Sequence, residues 1–219
     1  MVMTTRGKPI PEEAMITKAP ALTDTPLLLD GVLPDFRFAR LETTAVGASP
    51  GMVFDAARDL DLLSVHSPLF DAVTWVRAMP DKVLGRTPPP LPSLRVADLF
   101  DLATKGEQPW LPLGEAPGRE LVFGAVGKVW RPSIEWRWIT AEDFAAFDEP
   151  GWAKMAASFV VHPYGERRSL LTYEARTACT DPDSTAQFLR YWTLVSAGVG
   201  IVLRATLKAV KEAAETGAA

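Results

Sequence analysis

DPDSTAQFLRYWTLVSAGVGIVLRATLKAVKEAAE, residues 181–215, is the stretch that decides the fold. Asp181-Pro182 sets an N-cap acceptor before a proline at the first helical position, and Lys208 and Lys211 sit toward the far end, where cations suit the helix dipole. Between them Phe188, Tyr191, Val195, Val199, Val202 and Val210 fall largely on one stripe. The spacing predicts a helix from Pro182 to about Ala214, roughly 50 Å long, with a kink where Gly198 and Gly200 interrupt it. A stripe of that length needs a broad apolar partner, and the residues before it supply one.

Upstream of the helix the period changes to that of strands. Trp110–Leu113, Glu120–Trp130, Ile134–Ile139, Trp152–His162 and Ser169–Ala178 each read as β-structure, separated by turn sequences such as EAPGR and HPYGERR. Their close spacing predicts an antiparallel meander. Thr140, with Asp143 three residues on, caps a one- or two-turn helix carrying Phe144 and Phe147, and Gly151 ends that excursion.

Phe36–Val46 reads as a further, half-buried strand. Ser49-Pro50 and Ser67-Pro68 each combine a cap with an N1 proline and predict two short helices, the second stopping before Pro80. Pro88-Pro89-Pro90 demands an extended surface connection, and Leu94–Ala103 predicts another short helix. The portion before the proline run is too small to bury a core alone, so both sides are expected to share one. Residues 1–27 are expected to form a flexible arm and residues 28–219 a single domain, with the arm docking only at Pro26–Leu29.

Composition narrows the function classes. The chain has 219 residues, 47% of them hydrophobic and 23% charged, which excludes global disorder. A net charge of -4 supplies no basic surplus for phosphates, so nucleic acid is not expected as a partner. One cysteine and two histidines lack the material for a zinc site, so neither a metal nor a cofactor is expected. The first twenty residues hold no apolar core of a secretory signal, and Val195–Leu203 is too short to cross a bilayer. These readings point to a cytoplasmic protein without membrane insertion, and self-association is compatible with them.

Several motifs tempt and fail. GAVGK at Gly124–Lys128 has Val122 and Val129 where a phosphate-binding loop needs Gly and Ser or Thr, so its glycines read as a bulge or bend of a curved sheet. No G-x-S-x-G elbow places a serine near His66 or His162, and Cys179 reads as a small residue at a strand end.

The order of one strand, short helices, an antiparallel run and a terminal amphipathic helix resembles the α+β helix-grip fold of the START-like group. LLLDGVLPDFRF, SPGMVFDAARDLDL, RELVFGAVGKVWRP, FAAFDEPGWAKMAASF and the stretch from LTYEAR onward, spanning about residues 28 to 215, resemble a bacterial branch of that group related to polyketide cyclases and dehydratases. In the last strand, where members read Thr-Glu-Thr-Arg, this chain reads Thr172-Tyr173-Glu174-Ala175-Arg176 and keeps the Glu and the Arg. The resemblance implies an antiparallel sheet wrapped around the terminal helix with a cavity between them, and no catalytic set.

A curved sheet cannot touch one helix everywhere, so the space left is expected to take an apolar small molecule. With charges placed outward, the pleat turns Leu121, Phe123, Trp136, Trp138, Met155, Phe159 and Tyr173 inward, facing Tyr191, Val195 and Val199 of the helix. Ordinary core packing accounts for the same residues. Glu174 and Arg176 share one strand face, either a solvated or ion-paired outer face or the polar end of the pocket. A polyketide cyclase or dehydratase using polar groups in that cavity is the alternative to a carrier. A protein-interaction module that docks through the Trp-rich strands around Trp136 and Trp138 or through the proline run is the third.

Overall fold

The computed structural model describes residues 25–61, 95–101 and 109–218. The N-terminal arm up to residue 24, the helix expected after Ser67-Pro68 and the Pro88-Pro89-Pro90 connection lie outside the described residues. The architecture is α+β: a six-stranded antiparallel sheet with a long C-terminal helix packed on it, in the helix-grip arrangement.

In chain order the elements are α1 (Leu28–Val32), β1 (Phe38–Val46), α2 (Pro50–Arg58), α3 (Val96–Asp101), β2 (Leu111–Ala116) and β3 (Glu120–Lys128). These are followed by β4 (Glu135–Arg137), α4 (Ala141–Phe144), β5 (Ala153–Pro163), β6 (Ser169–Cys179) and α5 (Pro182–Gly217). The sheet order is β1-β6-β5-β3-β2, and β4 pairs with β3 beyond the end of β2. The expected simple meander is therefore corrected at β4. Only three residues long, it prolongs the edge that β2 leaves open, and β3 pairs directly with β5.

Both faces of the sheet are covered. On one, Leu121, Phe123, Ala157, Phe159, Val161, Leu171 and Tyr173 form a core with Leu203, Leu207 and Val210 of α5 and with Val53, Phe54 and Ala57 of α2. On the other, Val122, Val126 and Ala156 lie under Leu29 and Leu33 from the α1 segment and under Phe144 of α4. Double coverage explains why β3 is buried at eight consecutive positions instead of alternating.

Glu120 fastens α1 to its face. Its wholly buried carboxylate accepts the backbone N–H of Leu28 at 2.7 Å and of Leu29 at 3.0 Å, taking up donors at a helix start that has no local cap. Arg119 donates to the carbonyls of Thr25 and Pro26, so the chain is already held three residues before the helix.

Helix α5 is hydrogen-bonded as one helix through Gly198 and Gly200, and at the second glycine it makes a close approach to the sheet. A Cβ on Gly200 would lie 2.7 Å from Arg40 Nε, so glycine here lets the helix settle onto the β1 side chains. The helix also extends the apolar stretch beyond Val195–Leu203. By length and composition α5 could span a bilayer, with mean hydropathy 1.5 over its most apolar window. Its inner stripe, from Phe188 to Ala214, is packed within the protein, while Leu194 on the outer face is 83% exposed.

The start of α5 is tied by Asp181, whose carboxylate accepts from the N–H groups of Asp183, Ser184 and Gly151. Those bonds from Ser184 and Gly151 hold its pKa down at about 2, below the ordinary 3.8. A depressed carboxylate pKa adds stability above pH 4 that disappears as pH falls toward 2. Asp181→Ala is expected to cost about 1 kcal/mol at neutral pH. Urea denaturation of variant and parent should converge as the pH drops from 5 to 2.

Candidate functional site between sheet and helix

The helix-facing side of the sheet follows from strand register. Tyr173 pairs with Phe159 and with Glu42, and Ala175 pairs with Ala157 and with Arg40. Leu121, Phe123, Met155, Phe159 and Tyr173 all face the helix, as the pleat required. The Phe159 and Tyr173 rings stack at 4.2 Å, and Phe123 lies 6.1 Å from Phe159 and 6.5 Å from Tyr173.

Trp136 extends this aromatic wall. It lies over Gly127, where a Cβ would come within 2.8 Å of the indole, and 6.3 Å from Trp110, which in turn contacts Phe123 at 5.9 Å. Across from the wall, Val195 and Val199 are half-buried on α5, and Val199 packs against the main core. Tyr191 and Met155 belong to a neighbouring cluster with Phe38 and Phe188 at the start of α5.

Contact with the helix is incomplete. Ala175 points toward α5 from β6, a strand flanked on both sides, yet it is only partly buried. Met155, Trp110, Trp136 and Val199 are also partly buried, and Tyr173 keeps 8% of its surface. Of these, Ala175, Met155 and Tyr173 are on interior strands and keep some accessible surface.

Two expectations are corrected. Trp138 lies past the end of β4 and is 53% exposed, because the strand stops at Arg137 and the pleat no longer orients it inward. Glu174 and Arg176 are not a polar pocket end, since Tyr173 and Ala175 occupy the helix-facing positions and one-residue parity turns the charged pair to the opposite face. The ion-paired alternative is the one found, on a face that the α1 segment covers. Arg176 donates from Nε to Glu174 at 2.7 Å and from Nη1 to Asp30 at 2.7 Å and to the Leu33 carbonyl. Burial works against its charge, but the bonds to Glu174 and Asp30 outweigh that and raise its pKa.

Three residues of the helix-facing side escaped the sequence reading: Trp110, Arg40 and Glu42. The alternation Phe38, Arg40, Glu42 puts both charges on the face of a buried phenylalanine, and that signal was available. Glu42 accepts from Arg204 of α5 at 2.6 Å. Farther along the same side Arg58 of α2 pairs with Glu115 of β2. Cys179 is no activated thiol, because burial pushes its pKa up to about 11. Among the described residues there is no cluster of His, Cys, Asp and Glu suited to a metal ion.

A separate open groove of about 670 Å³ lies at the far end of α5, between Met52, Ala56 and Leu60 of the α2 region, Arg95, and Ala213 and Gly217. None of the residues expected from sequence lines it.

No protein-family model matches the chain, and no curated protein matches it. Similar solved structures include a Mesorhizobium loti protein (9% identity, TM-score 0.37, covering 82% of this chain and 98% of that one). A conserved protein from Geobacillus kaustophilus has 8% identity and TM-score 0.38, with 82% and 96% covered. The Zhui aromatase/cyclase from Streptomyces has 13% identity and TM-score 0.29, with 81% and 93% covered. These are likenesses of outline.

Burial raises the pKa of the Tyr173 phenol well above that of a free phenol, because the phenolate would lose its hydration. Alkaline titration followed by ultraviolet absorbance should therefore give the same phenolate signal for Tyr173→Phe and the parent until the protein unfolds. A lower signal in the variant below that point would contradict the burial.

Proposed function

We propose that this protein binds an apolar small molecule, flat and aromatic or lipid-like, between its sheet and α5. The observation that carries this reading is the partial exposure of Ala175, on an interior strand and facing the helix. A well-packed sheet-on-helix core would cover a methyl group there completely. The surrounding surface suits such a ligand: Trp110, Trp136, Phe123 and Tyr173 offer ring faces, and Val199 an aliphatic floor. On this reading the chain is a START-like carrier acting in solution.

One observation favours a second reading, an enzyme of the cyclase or dehydratase kind. Arg40, Glu42 and the Tyr173 hydroxyl are on the helix-facing side, where a bound molecule would meet groups able to orient it and exchange protons. The carrier reading needs no chemistry from them and is preferred.

Ala175→Leu tests the site. Leucine should fill the space, weaken binding of the neutral fluorescent probe N-phenyl-1-naphthylamine by about tenfold or more, and leave the melting temperature equal or higher. Probe affinity unchanged by the substitution would remove the site from this part of the fold.

A further inference from the structure

We infer that Arg40 is the head-group anchor of this site, and that the ligand class is an apolar body carrying one carboxylate or similar anionic group. The inference rests on the proposed binding space between sheet and helix and adds the chemistry of its polar rim.

The charges on the helix-facing side do not balance. Arg58 has Glu115 as its counter-ion on the far part of the sheet. At the seam of β1 and α5 a single carboxylate, Glu42, serves two guanidinium groups. It is committed to Arg204, whose Nη1 donates to Glu42 Oε1 at 2.6 Å, while Arg40 Nε stands 3.5 Å from the same oxygen and makes no hydrogen bond to it. Arg40 Nε is sealed from solvent without an acceptor, although the side chain as a whole is 41% exposed. A guanidinium offers five donors in a planar fork that matches a carboxylate. Here the Nε of that fork has no hydrogen-bond acceptor among the described residues, and its ion-pair carboxylate there, Glu42 at 3.5 Å, is shared with Arg204.

Position gives the charge its meaning. Arg40 is the direct cross-strand neighbour of Ala175, the inward residue with surface to spare, and Glu42 is that of Tyr173. An acyl or aromatic body lying over Ala175 would bring its end group to Arg40 within one strand spacing, about 5 Å. Gly200 completes the arrangement. Its missing side chain is what lets the guanidinium lie beneath the helix, since a Cβ there would fall 2.7 Å from Nε and 2.9 Å from Nη2. The site thus has an apolar interior and one uncompensated positive charge at its edge, a combination that selects an anionic amphiphile over a neutral one.

Paired titrations with dodecanoate and dodecanol, followed by the fluorescence of Trp110 and Trp136, test this. The parent is expected to bind dodecanoate about tenfold more tightly than dodecanol. Arg40→Gln should bring the two affinities together by weakening dodecanoate alone. Gly200→Ala, which leaves Arg40 in the sequence but pushes its guanidinium out, should do the same, and so covers a failure of Arg40→Gln to fold. Equal affinity of the parent for both compounds, or a preference that survives both substitutions, overturns the anchor and leaves the apolar site standing. Binding of neither compound overturns the site and the anchor together.

Discussion

Helix α5 lies along an edge strand, and that placement governs the rest of the molecule. It follows β1 for the strand's full length. Phe188 packs on Phe38 at 4.7 Å, Gly200 rests on Arg40, Arg204 bonds Glu42, Lys211 donates to the Ala45 carbonyl and Glu215 accepts from the Gly47 N–H. A helix fixed in this way covers β1 and β6 and cannot also cover β3. The remaining area falls to α2, which brings Val53, Phe54 and Ala57 to one end, and to the aromatic rings of Phe123, Trp110 and Trp136 at the other. Ala175 of β6, on the side that faces the helix, stays partly buried among these parts.

The opposite face is covered by short segments of chain. There the α1 segment and α4 lie flat on Val122, Val126 and Ala156, and the charged groups beneath them are matched, although the buried Ser158 Oγ on the same face has no hydrogen-bond partner. Glu120 takes two backbone N–H groups, and Arg176 takes Glu174, Asp30 and a carbonyl. Removing charges from water is tolerable only with that degree of pairing. Against this standard the seam at Arg40 stands out, because the same chain that saturates Arg176 leaves Arg40 without a hydrogen bond.

How far the sequence could be read depended on how local each signal was. The Asp181-Pro182 start of α5, the Thr140 cap and the turn at Gly151 were legible because the chemistry lies within four residues, and Thr140 Oγ1 does accept the Asp143 N–H at 3.3 Å. The facing of Leu121, Phe123, Phe159 and Tyr173 was legible through the period of two. Partners distant in sequence were not. Nothing near Glu135 says that β4 prolongs an edge, and nothing near Arg176 says that Asp30, 146 residues earlier, will cover it. The assumption that strand charges point to water hid Arg40 and Glu42, although their alternation with Phe38 placed them inside.

That error exposes a general feature of sheets grasped by a helix. Where one face is dry and the other wet, charge marks the outside and the alternation can be read without ambiguity. Here both faces are covered, so charge loses that meaning, and a charged residue marks a place where something must meet it. On the α1 side the sequence provides the counter-groups, from Asp30 and from free backbone donors. On the α5 side it provides a carboxylate for Arg204 and a glycine that makes room for Arg40, without a second acceptor. The Nε of Arg40 is thereby buried without an acceptor, while the side chain as a whole remains 41% exposed. The fold therefore makes its strongest statement about function at a strand edge, away from the aromatic wall that the sequence brought first to view.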